Sequence, residues 1–187
     1  MSNLLPANAP LLVFIGPSAV GKSTLVAELV KQGLLEVTPT WTDRRQRPDE
    51  IELEHKFVSR HTFDKQESTK FFAHPPLTFF GLPYRYATPH PVIPESGVVP
   101  AVMARFQAVN LVTTLFPNRV IYQIEASQAV VAERLAKRTK AGDEIGTRLH
   151  DYETEIIEGR NVANRIFDQV DLTEMVVAVR QALKIDF

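Results

Sequence analysis

The 187-residue chain contains no cysteine. Disulfides, Cys-ligated zinc, iron–sulfur clusters and thiol nucleophiles are therefore excluded. It has almost no charge imbalance: 21 Lys plus Arg against 22 Asp plus Glu leave a formal net charge of −1. A general polyanion binder of the histone kind is not expected from such a balance, and no nucleic-acid partner is expected. No apolar run is long enough to span a bilayer; the first, Leu11 to Ile15, is too short even for a signal-peptide core. The opening Met-Ser-Asn-Leu-Leu-Pro carries no basic stretch. The expectation is a soluble, cytoplasmic protein without a membrane partner. What is present is ordinary: 44% hydrophobic and 23% charged residues, enough for one self-sufficient core.

Leu11-Leu12-Val13-Phe14-Ile15 reads as a strand buried on both faces, as in a parallel sheet. Leu25, Val26, Leu29 and Val30 recur at helical spacing over 22–31, and Gly33 supplies a stop. From Leu34 to about Pro94 the texture changes. Prolines concentrate there, with six of the 11 phenylalanines and no long helical period. Short strands are expected at 56–58, 70–72 and 78–80, with a helical turn or two after Ser59. Alternation returns after Gly97. A strand begins at Val98-Val99 with Pro100 limiting it. Further expectations are a helix over 103–116, a buried strand over 119–125 and a helix over 128–138 capped by Ser127. A loop over 139–143 precedes a helix over 144–158 that stops at Gly159. A short strand at 166–167 and a final helix to about residue 184, capped by Asp171 and Glu174, complete the pattern. Such alternation predicts an α/β fold with a parallel sheet between helices.

Gly16-Pro17-Ser18-Ala19-Val20-Gly21-Lys22-Ser23 fits G-x-x-x-x-G-K-[ST] between a strand and a helix, the setting of a phosphate loop. Glycines let successive amides curl round a phosphate, and the helix N-terminus favours the anion. Lys22 is a point charge for the β- and γ-phosphates, and the Ser23 hydroxyl is a Mg²⁺ ligand. The phosphates of a nucleotide are then expected on Gly16, Ser18, Ala19, Val20, Gly21, Lys22, Ser23 and Thr24, and the resemblance described next makes that nucleotide ATP, the phosphoryl donor.

Downstream, Thr42-Asp43-Arg44-Arg45-Gln46-Arg47-Pro48-Asp49-Glu50 is followed by His55-Lys56-Phe57-Val58-Ser59. With G-P-S-A-V-G-K-S-T before them, these segments resemble the guanylate kinase family. Its motifs are GPSGxGKST, T-T-R-x-x-R-x-G-E and Y-x-F-V-S. Arg134-Leu135-Ala136-Lys137-Arg138 and Arg148-Leu149 resemble the same family's lid. The resemblance implies a single P-loop NTPase domain over 1–187, a three-layer sandwich. Its core would be 11–38 and 97–187, with an acceptor-binding lobe over 39–96 and a helical lid over about 134–150. It implies an ATP- and Mg²⁺-dependent kinase that moves the γ-phosphoryl group to the phosphate of a small phosphorylated acceptor, GMP or a related nucleoside monophosphate. It assigns catalysis to Lys22, Arg138 and Arg148, places Arg134 with ATP, and gives the acceptor Thr40, Arg44, Arg47, His55 and Tyr84. A monomer or homodimer is expected. Two guanidinium forks at Arg44 and Arg47 suit a bidentate grip on phosphate.

The chain departs from that family in two places. The run before Gly81-Leu82-Pro83-Tyr84 has no acid to read guanine, and Glu95 is the only carboxylate between Ser68 and Ile124. The family's D-x-D at the end of the third strand, near 98–103, is absent. Guanine offers N–H donors, so its pocket needs an acceptor. Lys70, Arg85, Arg105 and Arg119 remain in this region. Two alternatives follow. One is a ribose 1,5-bisphosphate phosphokinase making phosphoribosyl diphosphate, whose G-L-x-Y element resembles residues 81–84. The other is a catalytically weak guanylate-kinase-like binding module. Asp168 falls near the family's adenine-side asparagine.

Overall fold

A computed structural model of the chain describes residues 4–46, 53–65, 77–78, 84–138, 145–146 and 149–183. Apolar strand β1 (Leu11–Ile15) is fully buried, as its unbroken run requires. It lies at the centre of a five-stranded parallel sheet in the order β2-β7-β1-β8-β9. The flanking strands are β2 (Leu35–Thr38), β7 (Val99–Met103), β8 (Arg119–Glu125) and β9 (Arg165–Asp168).

Side-chain alternation along β1 divides the core. Leu12 and Phe14 pack with Leu25, Val26 and Leu29 of α1 (Lys22–Lys31), Val131 and Leu135 of α4 (Gln128–Arg138), and Met175, Val176 and Val179 of α6 (Leu172–Leu183). Leu11, Val13 and Ile15 face the other way, onto Ala108, Val109 and Val112 of α3 (Phe106–Leu115). Each fully buried Leu, Ile or Phe contributes roughly 1.5–3 kcal/mol, so this five-residue strand is a main source of cohesion between the three layers. Phe14, Tyr122 and Phe167 stack across β1, β8 and β9 with centroids 5.5 Å apart in each pair.

A second sheet, ordered β4-β3-β6-β5, comes from the proline-rich region. It comprises β3 (Thr40–Thr42), β4 (His55–Phe57), β5 (Leu77–Thr78) and β6 (Arg85–Ala87), with α2 (Arg60–Lys65) beside it. Phe63, Ala87, Trp41 and Val58 form its small apolar centre.

Several boundaries differ from those expected from sequence. Pro100 lies inside β7, as its second residue; pairing with β1 starts only at Ala101, so the missing N–H costs no bond on that side. Met103 ends β7 opposite Phe14, and the helix expected from 103 begins at Phe106. Helix α5 (Tyr152–Val162) runs through Gly159 instead of stopping there. A Cβ on Gly159 would lie 2.3 Å from the buried Gln123 Oε1, so this glycine answers to side-chain crowding and not to a turn. Strands β2, β3 and β6 were not read from the sequence. The run 70–72 and the loop 139–143 lie outside the described residues. Gly33 does end the first helical segment, at φ +66°.

Candidate active site

Crossovers α1 and α3 cover opposite faces of the sheet, so the chain leaves the centre in opposite directions. In such sheets the crevice at the carboxyl ends of the strands holds the ligand. The phosphate loop is there. Gly16 has φ +134°, and a Cβ on it would lie 2.3 Å from the carbonyl oxygen of Ile124 in β8. Only glycine fits. Gly21, at φ +116°, turns the chain into α1, whose first helical bond is Leu25 N–H to Gly21 O, 3.1 Å. The preceding amides belong to the first turn, where helix geometry supplies no carbonyl partner and anions are favoured. Ala19 holds φ +64°, a left-handed conformation in which a side chain costs roughly 1–2 kcal/mol.

Two cations close on this loop. Lys22 Nζ donates to the carbonyls of Gly16 (2.8 Å) and Pro17 (2.7 Å), so its charge stays at the loop. Arg134, from α4, donates through one guanidinium nitrogen to the carbonyls of Ala19 (3.1 Å) and Val20 (2.9 Å). The resemblance placed Arg134 with ATP; the structure places it on the phosphate loop. Ser18 is half-buried, Val20 buried and Thr24 exposed on the first turn. Ser23 Oγ donates to the carboxylate of Glu54. Spacing gave no hint of Glu54: it stands one residue before the matched segment and 31 residues from Ser23.

The second sheet abuts the core at the same point. Thr40 Oγ1 donates to Met103 O at the end of β7 (3.2 Å), and Thr40 N–H to Glu54 O (2.9 Å). Its hydroxyl thus joins the sheets. Arg44 is buried, its guanidinium 5.1 Å from the centroid of the Phe57 ring, with one nitrogen donating to Arg45 O (2.9 Å). His55 Nε2 lies 3.7 Å from Glu54 Oε1, and its ring adjoins those of Phe57 and Tyr86. Tyr84 is half-buried just before β6. Arg47 and Arg148 lie outside the described residues; of Arg138, only its backbone at the end of α4 is described.

The basic side chains counted toward an anionic acceptor are otherwise engaged. Arg85 donates to Asp43 through Nε (2.8 Å) and to Asp64 through Nη1 (2.6 Å), and lies 4.6 Å from the Phe63 centroid. Asp64, then Asp43, holds its pKa above the ordinary arginine value. Arg105, just after β7, is ion-paired with Glu155, which is only 3% exposed. Arg119 donates to Pro117 O (3.0 Å). Lys70 lies outside the described residues. At the end of β8, Arg160 binds Glu125 (Nε to Oε1, 2.8 Å) and approaches Asp168 at 3.7 Å.

A strand–loop–helix with positive-φ glycines, a lysine and an arginine on the loop, and a second sheet at its mouth defines a P-loop nucleotide-binding protein on an α/β fold. No protein-family model matches the chain. The guanylate kinase of Thermosynechococcus vestitus is 27% identical over 98% of this chain and 97% of its own length. That of Bartonella henselae is 36% identical over 63 residues, 33% of this chain and 28% of its own, so this match concerns one part only. The crystal structure of guanylate kinase from Anaplasma phagocytophilum shares the fold, with a TM-score of 0.64 and 18% identity over 98% of this chain and 88% of that one. The chain is a phosphotransferase that resembles guanylate kinases over nearly its whole length. No helix among the described residues is long and apolar enough to cross a membrane.

Proposed function

We propose that this protein is an ATP-dependent nucleoside monophosphate kinase. It transfers the γ-phosphoryl group of ATP to the phosphate of a small acceptor, GMP or a close relative. The observation that carries this reading is the phosphate loop itself: Gly16, Ala19 and Gly21 at positive φ, with Lys22 and Arg134 bonded to its carbonyls. Phosphoryl transfer asks a protein for positioning and positive charge, with little covalent chemistry. Lys22 and Arg134 would supply charge at the donor; Arg138 and Arg148 would supply it from the lid. Arg44, Arg47, Tyr84 and His55 would orient the acceptor phosphate. Mg²⁺ suits the Ser23 hydroxyl, a hard oxygen ligand at the head of α1. When bound, it would neutralise charge on the β- and γ-phosphates.

The acceptor is the finer question. Acid-poor residues 71–84 favoured a ribose 1,5-bisphosphate acceptor, but the Arg85 and Arg105 charges offered for it are matched by Asp43, Asp64 and Glu155. This favours a nucleotide. A binding module without turnover fits poorly with a complete loop. Coupled ADP release across GMP, dGMP, other nucleoside monophosphates and ribose 1,5-bisphosphate is the test, with GMP or dGMP expected fastest. ATP should raise the melting temperature of the wild type and not of Lys22→Ala. ATP binding with no acceptor-stimulated turnover would sink the kinase assignment.

A further inference from the structure

The metal's protein partners can be carried further; this step rests on the kinase reading above. A Mg²⁺ ion on a phosphate loop is usually completed with the help of carboxylates, since hard anionic oxygen is what it prefers. The resemblance puts such acids at the end of the third core strand. Here that strand, β7, reads Val-Pro-Ala-Val-Met and has no acid. Two residues on comes Arg105, whose charge is balanced by Glu155. This strand end can supply no anionic ligand of its own.

Another carboxylate reaches Ser23 from the opposite sheet. Glu54 directly precedes β4, and its side chain accepts the Ser23 hydroxyl. Its main chain is fixed there: Glu54 O accepts from Thr40 N–H, and Thr40 is bonded through its hydroxyl to Met103 O. The Glu54 side chain keeps 27% of its surface exposed, so it is not sealed away from an incoming ion. Hydroxyl plus carboxylate is an all-oxygen donor pair of the kind Mg²⁺ selects. Two oxygens already in hydrogen-bond contact are near enough to serve one small cation together.

We propose that Glu54, delivered from the acceptor-side sheet, replaces the missing strand-end acids and holds the Mg²⁺ of Mg·ATP together with Ser23. The site then draws its metal ligands from the head of α1 and from the edge of the acceptor-side sheet, and the Ser23–Glu54 hydrogen bond keeps them together until the ion arrives.

The test reads metal binding, not turnover. Mn²⁺ affinity for the protein·ADP complex is measured by electron paramagnetic resonance for wild type, Glu54→Gln and Glu54→Asp. ATP affinity is measured in parallel in excess EDTA. Glu54→Gln keeps an acceptor for Ser23 but loses the charge. It should weaken Mn²⁺ binding about tenfold or more, while metal-free ATP binds as well as to wild type or better. Glu54→Asp should recover part of the Mn²⁺ affinity. Mn²⁺ affinity within twofold of wild type in Glu54→Gln would overturn the proposal and leave the kinase reading standing. Equal losses with and without metal would overturn it too, by showing a structural role. Failure of the wild type itself to bind ATP would bring down the kinase reading, and this proposal with it.

Discussion

Arg134→Ala isolates what the α4 guanidinium does for the loop. One nitrogen serves the carbonyls of Ala19 and Val20, at 3.1 and 2.9 Å. One carbonyl is that of Ala19 itself, the residue in a left-handed conformation, and the other is that of the next residue, so the clamp helps hold Ala19 where it would not rest alone. A hydrogen bond from a charged donor is worth about 1.5–3 kcal/mol when well shielded. Arg134 is an exposed residue, so solvent screening lowers this to about 1 kcal/mol. Loss of the clamp should therefore weaken ATP binding about fivefold, measured by titration calorimetry. Global stability, from urea melts, should change by less than about 0.5 kcal/mol, because the contact is peripheral to the core. Arg134→Lys should recover part of the loss, since an ammonium is also a charged donor to carbonyl oxygens. ATP affinity within twofold of wild type in a folded Arg134→Ala protein would refute the clamp.

Three further outcomes are expected. Arg47→Ala should raise the acceptor KM in steady-state assays and leave ATP affinity nearly unchanged; equal losses for both substrates would contradict its acceptor role. Glu155→Gln leaves Arg105 without its counter-charge in a mostly buried setting and should cost about 2–4 kcal/mol in urea denaturation, whereas Glu155→Gln with Arg105→Met should regain part of it. Tyr152 donates its hydroxyl to Ala126 O (2.5 Å), and burial, then the Glu125 charge, raises its pKa above the usual value near 10. The folded state thus holds that proton more tightly than the unfolded chain. Its contribution is complete below about pH 10 and is lost as pH rises through the raised value, so Tyr152→Phe should flatten the alkaline limb of thermal stability.

The parallel core was readable because β1, α1, β8 and α4 each carry a single strong period or an unbroken apolar run. Where two periods overlap, reading failed: Met103 is apolar enough for either β7 or α3, and only its pairing opposite Phe14 decides. Gly159 was misread because sequence cannot distinguish a glycine needed for its backbone from one needed for the room it leaves to Gln123. The phosphate loop was legible because its chemistry lies in eight consecutive residues. Glu54, and the pairing of Arg105 with Glu155 and of Arg85 with Asp43, were not, because each depends on segments 31 to 50 residues apart that meet only after folding. A count of bases in the acceptor region therefore overstated the positive charge available there.

The hydroxyl of Thr40 on Met103 has a practical meaning for anyone building chimeras of this enzyme. An acceptor-side sheet borrowed from a related protein could not be spliced on as an independent cartridge. It would have to present a hydroxyl to the last turn-out of β7 and a carboxylate to Ser23 at once. Grafts that respect only the cut points would yield proteins that fold yet hold their two substrates out of step.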